Sequence, residues 1–505
     1  MAVKINFNEA AAKTHTALII NERAMNRSLL RLSTGYRILS AADDSAGLYI
    51  ADMLGTVAAA LDQGNANIQT GISALQIAET NAGQIYTKLQ EIYIRAQRAA
   101  NDINDPNARS ALQDEINNFI DAIQKIATDT EYNGIKLLNG DFQNKSIHYG
   151  ARKDQVVSIS ITSLRVENLG AYMVQGNGSV TSGTGAISSL TGDYIVESGD
   201  TFTVYGQDVL GTSTNVLVDA KTIADNINNN STLQKAGIEA SSANSSTADT
   251  FTGIVSVSSG TVTNIDLKFY IGNANISSPT FNVTNLSTTT TLQELVNEIN
   301  SAASAAEAAV TASAENGKLI LETSDGETIG IEVVVTASGG SISYTVNLDQ
   351  LIEGASAQTF TGSGTAYAIK VGSLDIAGVD TFAVSTSGVG ALGISSGNAT
   401  FKNLNVIDVS TNTGAETAIL IVTKALQKVD TIRAEIGATM NNLQAIYDAQ
   451  KSAYDSTKEA ESVIRNTDYA KEMSEFTSYQ IRMQATIAML AQANTLPQLV
   501  LQLLR

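Results

Sequence analysis

Few side chains in this sequence are equipped for catalysis. There are two histidines, His15 and His148, and neither cysteine nor tryptophan. Without cysteine there is no thiolate nucleophile, no cysteine zinc site and no disulfide framework. Two histidines so far apart are too few for a histidine metal cluster. A Ser-His-Asp triad would have to recruit one of them outside any recognisable nucleophile setting. A zinc protease would need His-Glu-x-x-His, and residues 171–400 contain no histidine. Asp43 and Asp44, followed by Ser45, could form a proton-transfer pair; placed just ahead of a helix, their oxygens serve better as caps for free amides and as a counter to the helix dipole. No catalytic, cofactor or metal site emerges, and the chain reads as a non-enzyme.

The composition narrows the partners. Thirty-one basic against 50 acidic residues give a net charge of −19, which argues against nucleic acid and anionic membrane as partners. No run of ~18 apolar residues is long enough to span a bilayer. The first twenty residues lack the basic start, apolar core and small-residue cleavage site of a Sec signal, so export would need another route. Charge is also uneven: between residues 171 and 400 five lysines, Lys221, Lys235, Lys268, Lys318 and Lys370, face 21 acidic residues, a net −16. That segment is rich in Ser, Thr, Gly and Asn with Val/Ile alternation, a composition of strands and turns. The nearly neutral ends are rich in Ala, Leu, Ile, Gln and Arg, as in helices that pack on helices.

Periodicity supports this division. Leu18, Met25, Leu29, Leu32, Tyr36 and Leu39 follow a four-three apolar spacing interrupted at Glu22, a narrow stripe facing a partner. Gly35 and the run 40–45 break it. A second helix, from Ser45 to about Ala100, carries Leu54, Ala58, Leu61, Asn65, Ile68, Ile72, Leu75, Glu79, Ala82, Tyr86 and Leu89 at heptad spacing. At ~1.5 Å per residue it extends about 80 Å, a coiled-coil length. Asn-Asp-Pro at 104–106 ends it and opens a third helix over about 107–128. Two Asn-Gly turns in EYNGIKLLNG (131–140) and alternation in VVSISITSL (156–164) predict hairpin strands.

The other end mirrors this order. Ile419, Val422, Leu426, Val429, Ile436, Met440, Leu443, Tyr447 and Tyr454 form a long stripe interrupted at Arg433 and Gln450. A shorter stripe through Met473, Phe476, Met483, Ile487 and Leu490 follows, and the chain ends PQLVLQLLR. The two ends are expected to pair antiparallel, long on long and short on short, with Leu29, Leu32, Met483, Ile487 and Leu490 on one inner seam. The short stripes bury too little to offset an ordering cost of ~1–2 kcal/mol per residue, so they are expected to order only on assembly with other copies. Asn65, Glu79, Arg433 and Gln450 are candidates for setting register. The fold class is α+β: antiparallel terminal coiled-coil helices around a β-rich insert.

The insert holds a repeat. KTIADNIN (221–228) and IEAS (238–241) recur 72 positions later as LQELVNEIN (292–300) and VTAS (310–313), and Thr-Phe-x-Val occurs at 201–204, 280–283 and 381–384. Each unit reads as strand, short helix ending Ile-Asn, then strand.

Three motifs carry a family resemblance. RLSTGYRILSAADDSAGLYIA (31–51) resembles the flagellin signature, YNGIKLLNG (132–140) resembles that family's Phe-Asn-Gly phrase, and RNTDYAKEMSEFTSYQIRMQATIAMLAQANTLPQLVLQLLR (465–505) is similar to the flagellin tail throughout. The resemblance covers about 1–170 and 403–505. It implies a structural subunit that is exported unfolded through the flagellar type III apparatus and polymerises into the extracellular filament for swimming motility. A hook–filament junction protein is the alternative. It implies three domains: 1–40 with 465–505 as the inner filament core, 41–170 with 403–464 as a long-helix bundle with a β-hairpin, and 171–402 as a variable outer domain. The implied subunit interface comprises Leu18, Met25, Leu29, Arg31, Leu32, Arg37, Met473, Phe476, Met483, Ile487, Leu490, Leu499 and Leu503. Other copies, the filament cap, hook-junction proteins, the export apparatus and its secretion chaperone are the implied partners, with no cofactor. One departure concerns the vertebrate innate receptor. Where sensed flagellins carry a Gln-Arg-Val-Arg-Glu-Leu-like segment, this chain has Gln90, Glu91, Ile92, Tyr93, Ile94 and Arg95, and Glu115 matches an acidic contact. Charge reversal at an interface centre is costly, which argues against recognition.

Overall fold

A computed structural model describes residues 7–101 and 104–503, the side chains of 339–341 and 496–503 excepted. Among the described residues there are eight α-helices: α1 Glu9–Thr34, α2 Ser45–Ala99, α3 Pro106–Asp129, α4 Ala220–Asn229, α5 Ser231–Lys235, α6 Leu292–Ala305, α7 Asn412–Arg465 and α8 Tyr469–Leu503. Their ends have local causes. The Asn8 side chain accepts the Ala11 amide at 3.1 Å at the start of α1, and Gly35 stops it at φ +77°, a conformation natural to glycine. Asp105 caps α3 through the Ala108 amide at 2.7 Å, with Pro106 in the first turn. Tyr36 and Leu39, grouped with the first stripe by their spacing, therefore lie beyond the end of α1.

The chain divides into two compact units. The first comprises Met1–Ala78, Phe142–Ile161 and Glu435–Arg505. In it, α2 buries Ala58, Leu61, Asn65, Ile68 and Leu75, and α7 buries Ile436 and Leu443. Gln69 Nε2 donates to Tyr447 Oη at 3.0 Å between them. The hairpin of strands Lys145–His148 and Val156–Ile159 lies on α2 where two glycines leave room. A Cβ on Gly64 would sit 2.0 Å from the Tyr149 carbonyl oxygen, and one on Gly71 2.1 Å from Ile147 Cδ1. Asn67 Nδ2 fastens the hairpin to α2 through the His148 carbonyl at 3.0 Å. The breaks α1/α2 and α7/α8 meet: Tyr36 bridges Asn466, the Arg37 amide donates to the Arg465 carbonyl at 2.7 Å, and the Thr467 amide to the Gly35 carbonyl at 2.9 Å.

The second unit comprises Glu79–Asp141 and Thr162–Ala434. Its helical part buries Ala82, Ile85, Leu89 and Ile92 of α2, Leu112, Ile116, Ile120 and Ile123 of α3, and Val422, Ala425 and Val429 of α7. Strands Glu131–Tyr132 and Ile135–Lys136 form a hairpin closed by Asn133 and Gly134 at φ +50° and +76°, the turn that Asn-Gly favours.

In the β-rich part the repeat is real down to single hydrogen bonds. Asn228, ending the Ile-Asn phrase of α4, donates to the Ala240 carbonyl at 2.8 Å and accepts its amide at 2.9 Å. Asn300 of α6, 72 positions on, holds Ala312 in the same way at 2.8 and 2.8 Å. Asp219 and Thr291 cap the two helices. The copies differ in how they close. Strand Val310–Glu315 pairs with Lys318–Thr323, the next strand, across Asn316 and Gly317. Strand Glu239–Ala243 pairs instead with Ser373–Gly378, and Ala243 stands opposite Ser373. Residues 244–372, the second copy included, are thus inserted where the first copy would turn. The largest sheet orders Phe281–Leu286, Val255–Ile271, Ile329–Val346, Gly364–Lys370 and Val180–Thr184, with Phe269 stacked on Phe281 at 4.7 Å.

Where α7 packs on strands 239–243 and 373–378 the contacts include charge. Lys424, wholly buried, donates to Glu239 Oε2 at 2.6 Å; burial pushes its pKa down and the carboxylate opposes that. Burial likewise raises the pKa of Asp375, against the opposing effect of the Thr417 hydroxyl at 3.1 Å and Gln175 Nε2 at 3.3 Å. A raised carboxyl pKa means that ionised Asp375 costs stability at neutral pH, a cost that disappears as pH falls through the raised value. Asp375→Asn should therefore raise the melting temperature at pH 7, with the gain shrinking as pH is lowered. The Thr417 hydroxyl can accept from the new amide while still donating to the Thr413 carbonyl at 3.0 Å. A melting temperature lowered at neutral pH would contradict this.

Candidate assembly interface

Helices α1 and α8 pack antiparallel in the first unit. Three hydrogen bonds fix their levels: Asn8 Nδ2 to the Ala493 carbonyl at 2.9 Å, Asn21 Nδ2 to Thr486 Oγ1 at 3.1 Å, and Ser28 Oγ to the Glu472 carbonyl at 3.3 Å. The apolar residues form two sets. Leu18, Met25 and Leu32 of α1, and Phe476, Met483 and Leu490 of α8, recur every seven residues at matching levels and are half-buried. Leu29, Met473 and Ile487 are 50, 54 and 50 % exposed, so Leu29 and Ile487 do not belong to one seam with Leu32, Met483 and Leu490. Phe7, Ile20, Leu30, Ile481 and Met489 are exposed as well. The side chains of Leu499 and Leu503 lie outside the described residues.

The fully buried residues of this pair, among those described, are Ser28, Glu472 and Ala493. Glu472 lies 3.7 Å from Arg31, which is half-buried with Nε unpartnered. Arg37 is exposed and donates from Nη2 to the Ile464 carbonyl at 2.7 Å. Arg465 stacks over Tyr36 at 4.6 Å and pairs with Asp52 at 3.2 Å. Of the two acids ahead of α2, only Asp44 caps it, its Oδ1 accepting the Gly47 amide at 2.9 Å; Asp43 Oδ2 accepts the Leu39 and Ser40 amides at 3.2 Å each and so braces the preceding turn. His15 is exposed on α1. Among the described residues no group of three or more His, Cys, Asp or Glu is placed to hold a metal, and no helix is long and apolar enough to cross a membrane.

Ser28 and Glu472 were missed in the sequence because each looks like an ordinary surface residue of a helix. The available signal was an acid in the first turn of the last helix opposite Arg31. The arrangement suits adhesion: two helices offer rows of large apolar side chains to water around a small polar node. Extended exposed apolar surface of this kind marks a protein interface.

Residues 5–143 match the family model of the bacterial flagellin N-terminal helical region, and residues 419–504 that of the C-terminal helical region. A flagellin of Aquifex aeolicus is 49 % identical and one of Aquifex pyrophilus 50 % identical, each over 100 % of both chains. The chain belongs to the flagellin family. The B-type flagellin of Pseudomonas aeruginosa is 31 % identical over 100 % of both chains, so the flagellin likeness includes the β-rich middle as well as the ends. As a flagellin the chain is a structural subunit of the extracellular flagellar filament, a motility organelle built by self-assembly. Full-length identity of about one half to flagellins favours this over a hook–filament junction protein.

Proposed function

We propose that the flagellin polymerises by completing, with other copies, the core that its α1–α8 pair lacks. The observation that carries this reading is that, among the described residues, the pair buries only Ser28, Glu472 and Ala493 while Leu29, Met473 and Ile487 stand in water. Leu29, Met473 and Ile487 then meet neighbouring subunits. Leu18, Met25, Leu32, Phe476, Met483 and Leu490 hold the pair together and complete their burial on assembly. Arg31 and Arg37 supply ion-pairing and hydrogen-bonding groups at its base, and Leu499 and Leu503 extend the apolar row. In this reading 1–40 with 465–505 is the inner filament domain, 41–170 with 403–464 the long-helix domain, and 171–402 the outer domain. The acidic outer domain is solvated surface, where like charge keeps filaments apart. The filament cap, hook-junction proteins, the type III export apparatus and its chaperone are the further partners proposed.

Innate-receptor recognition is not part of the proposal. Arg95 is tied to Glu91 and to Glu115 at 3.0 Å, and lies 5.0 Å from the Phe119 ring centre, so the arginine of this segment is held by two carboxylates.

The boundary of the outer domain gives the test. Gly170 pairs with Asn403 across an antiparallel ladder, so a two-residue turn can join them. The chain lacking 171–402, joined by Asn-Gly, should still sediment as filaments when seeded with filament fragments, although the face of α7 around Lys424 becomes exposed. A folded, soluble remainder that never sediments would show that the insert makes essential lateral contacts. Failure of the full chain to polymerise would overturn the proposal as a whole.

A further inference from the structure

The apolar stripes of α2 and α7 are interrupted by Asn65 and Glu79 on one helix and Arg433 and Gln450 on the other. In the second unit Arg433 Nη2 donates to Glu79 Oε1 at 2.9 Å, and its guanidinium lies 5.7 Å from the Tyr86 ring centre. In the first unit Asn65 and Gln450 each stand about one helical turn from the Gln69–Tyr447 hydrogen bond, on the same side of it, and so at one level. Asn65 is buried, and neither amide oxygen, Asn65 Oδ1 or Gln450 Oε1, has a donor. Amide oxygens without donors in a seam are costly, and rotating a side-chain amide by half a turn presents a donor in place of an acceptor. Each interruption of one stripe thus stands opposite an interruption of the other.

We infer that these two polar layers select the register in which α2 and α7 zip together as the chain folds. An apolar heptad stripe cannot do so alone, because sliding by seven residues again sets apolar against apolar. A slide by one heptad places Glu79 opposite Leu426 or Met440, and Arg433 opposite Ile72 or Tyr86. It parts Glu79 from Arg433 and sets each of these partly exposed charges against an apolar residue, Arg433 keeping only Asp430 of its own helix at 3.6 Å, which is unfavourable. The layers therefore disfavour the slipped pairing more than they stabilise the correct one.

The natural sequence has no cysteine, so two introduced cysteines at the exposed positions Thr56 and Asn442 give one unambiguous spin-label pair. Pulsed electron resonance after refolding from denaturant should give a single distance for the labelled parent. With Asn65, Glu79, Arg433 and Gln450 all changed to Leu, a second population should appear, displaced by about 10 Å, the length of seven helical residues. Its helical content and melting temperature should match or exceed the parent's. A single unshifted distance in this variant overturns the inference. Should it fail to refold, the charge pair decides alone: Glu79→Arg should yield the second population, and Glu79→Arg with Arg433→Glu should restore the single one. One unshifted distance for Glu79→Arg also overturns the inference. None of these readouts requires a filament, so the result stands apart from the proposed polymerisation.

Discussion

Ile487→Asp should abolish seeded polymerisation and leave the melting temperature of the monomer unchanged. Ile487 is half exposed on α8 in the single chain, so an aspartate there meets water and, as a typical surface substitution, changes monomer stability by no more than ~0.5 kcal/mol. In a filament where this face is covered, the same carboxylate is buried without a partner, at a cost of several kcal/mol for every subunit added. Leu29→Asp should behave in the same way. Leu32→Asp should also block assembly, but Leu32 is half-buried opposite Phe476, so the variant should in addition loosen the α1–α8 pair. Calorimetry of the monomer and sedimentation after seeding separate the two effects. A large fall in monomer melting temperature for Ile487→Asp would mean that α8 already belongs to the monomer's core.

Ending the chain after Asp468 should remove filament formation completely while the rest of the chain stays folded. The cut deletes α8 and leaves the junction of Tyr36 with Asn466 and of Gly35 with Thr467 in place. It also leaves the Gln69–Tyr447 contact, the hairpin on Gly64 and Gly71, and both copies of the repeat. Among the described residues the deleted helix contributes only Glu472 and Ala493 to the buried set, so the main thermal transition should persist with a loss of helical signal confined to α8 and its partner α1. Filaments of normal appearance from the truncated chain would remove the basis for placing assembly on this pair.

These expectations could be drawn from the sequence only in part. The long stripes of α2 and α7 were legible because a heptad period maintained over many turns has one structural reading, and the helix breaks because Gly35 and Asn-Asp-Pro each have a local mechanism. The two faces of the short helices were not separable: a four-three spacing merges Leu29 with Leu32 and Ile487 with Met483, and only the partner helix decides which of them faces it. Gly64 and Gly71 gave no signal in the sequence, and their reason is the hairpin seated on them. The repeat was visible as equal 72-residue offsets, and its Ile-Asn phrase acquires a cause in the paired hydrogen bonds of Asn228 and Asn300. Its nesting was not visible, since strand Glu239–Ala243 chooses a partner about 130 residues away and strand partners are set by packing rather than local pattern. Glu472 was hidden for a related reason, because an acid held beside a buried serine and a half-buried arginine has the same local sequence as one in water.

Amide hydrogen exchange on the monomer and on the polymer tests the central claim most directly. The account predicts that amides of α1 and α8 exchange quickly in the monomer and become protected in the filament, while the buried stretches of α2 and α7 are protected in both states. Protection of α1 and α8 in the free monomer at the level of α2 would contradict it, showing that the pair has a sufficient core before any other copy arrives.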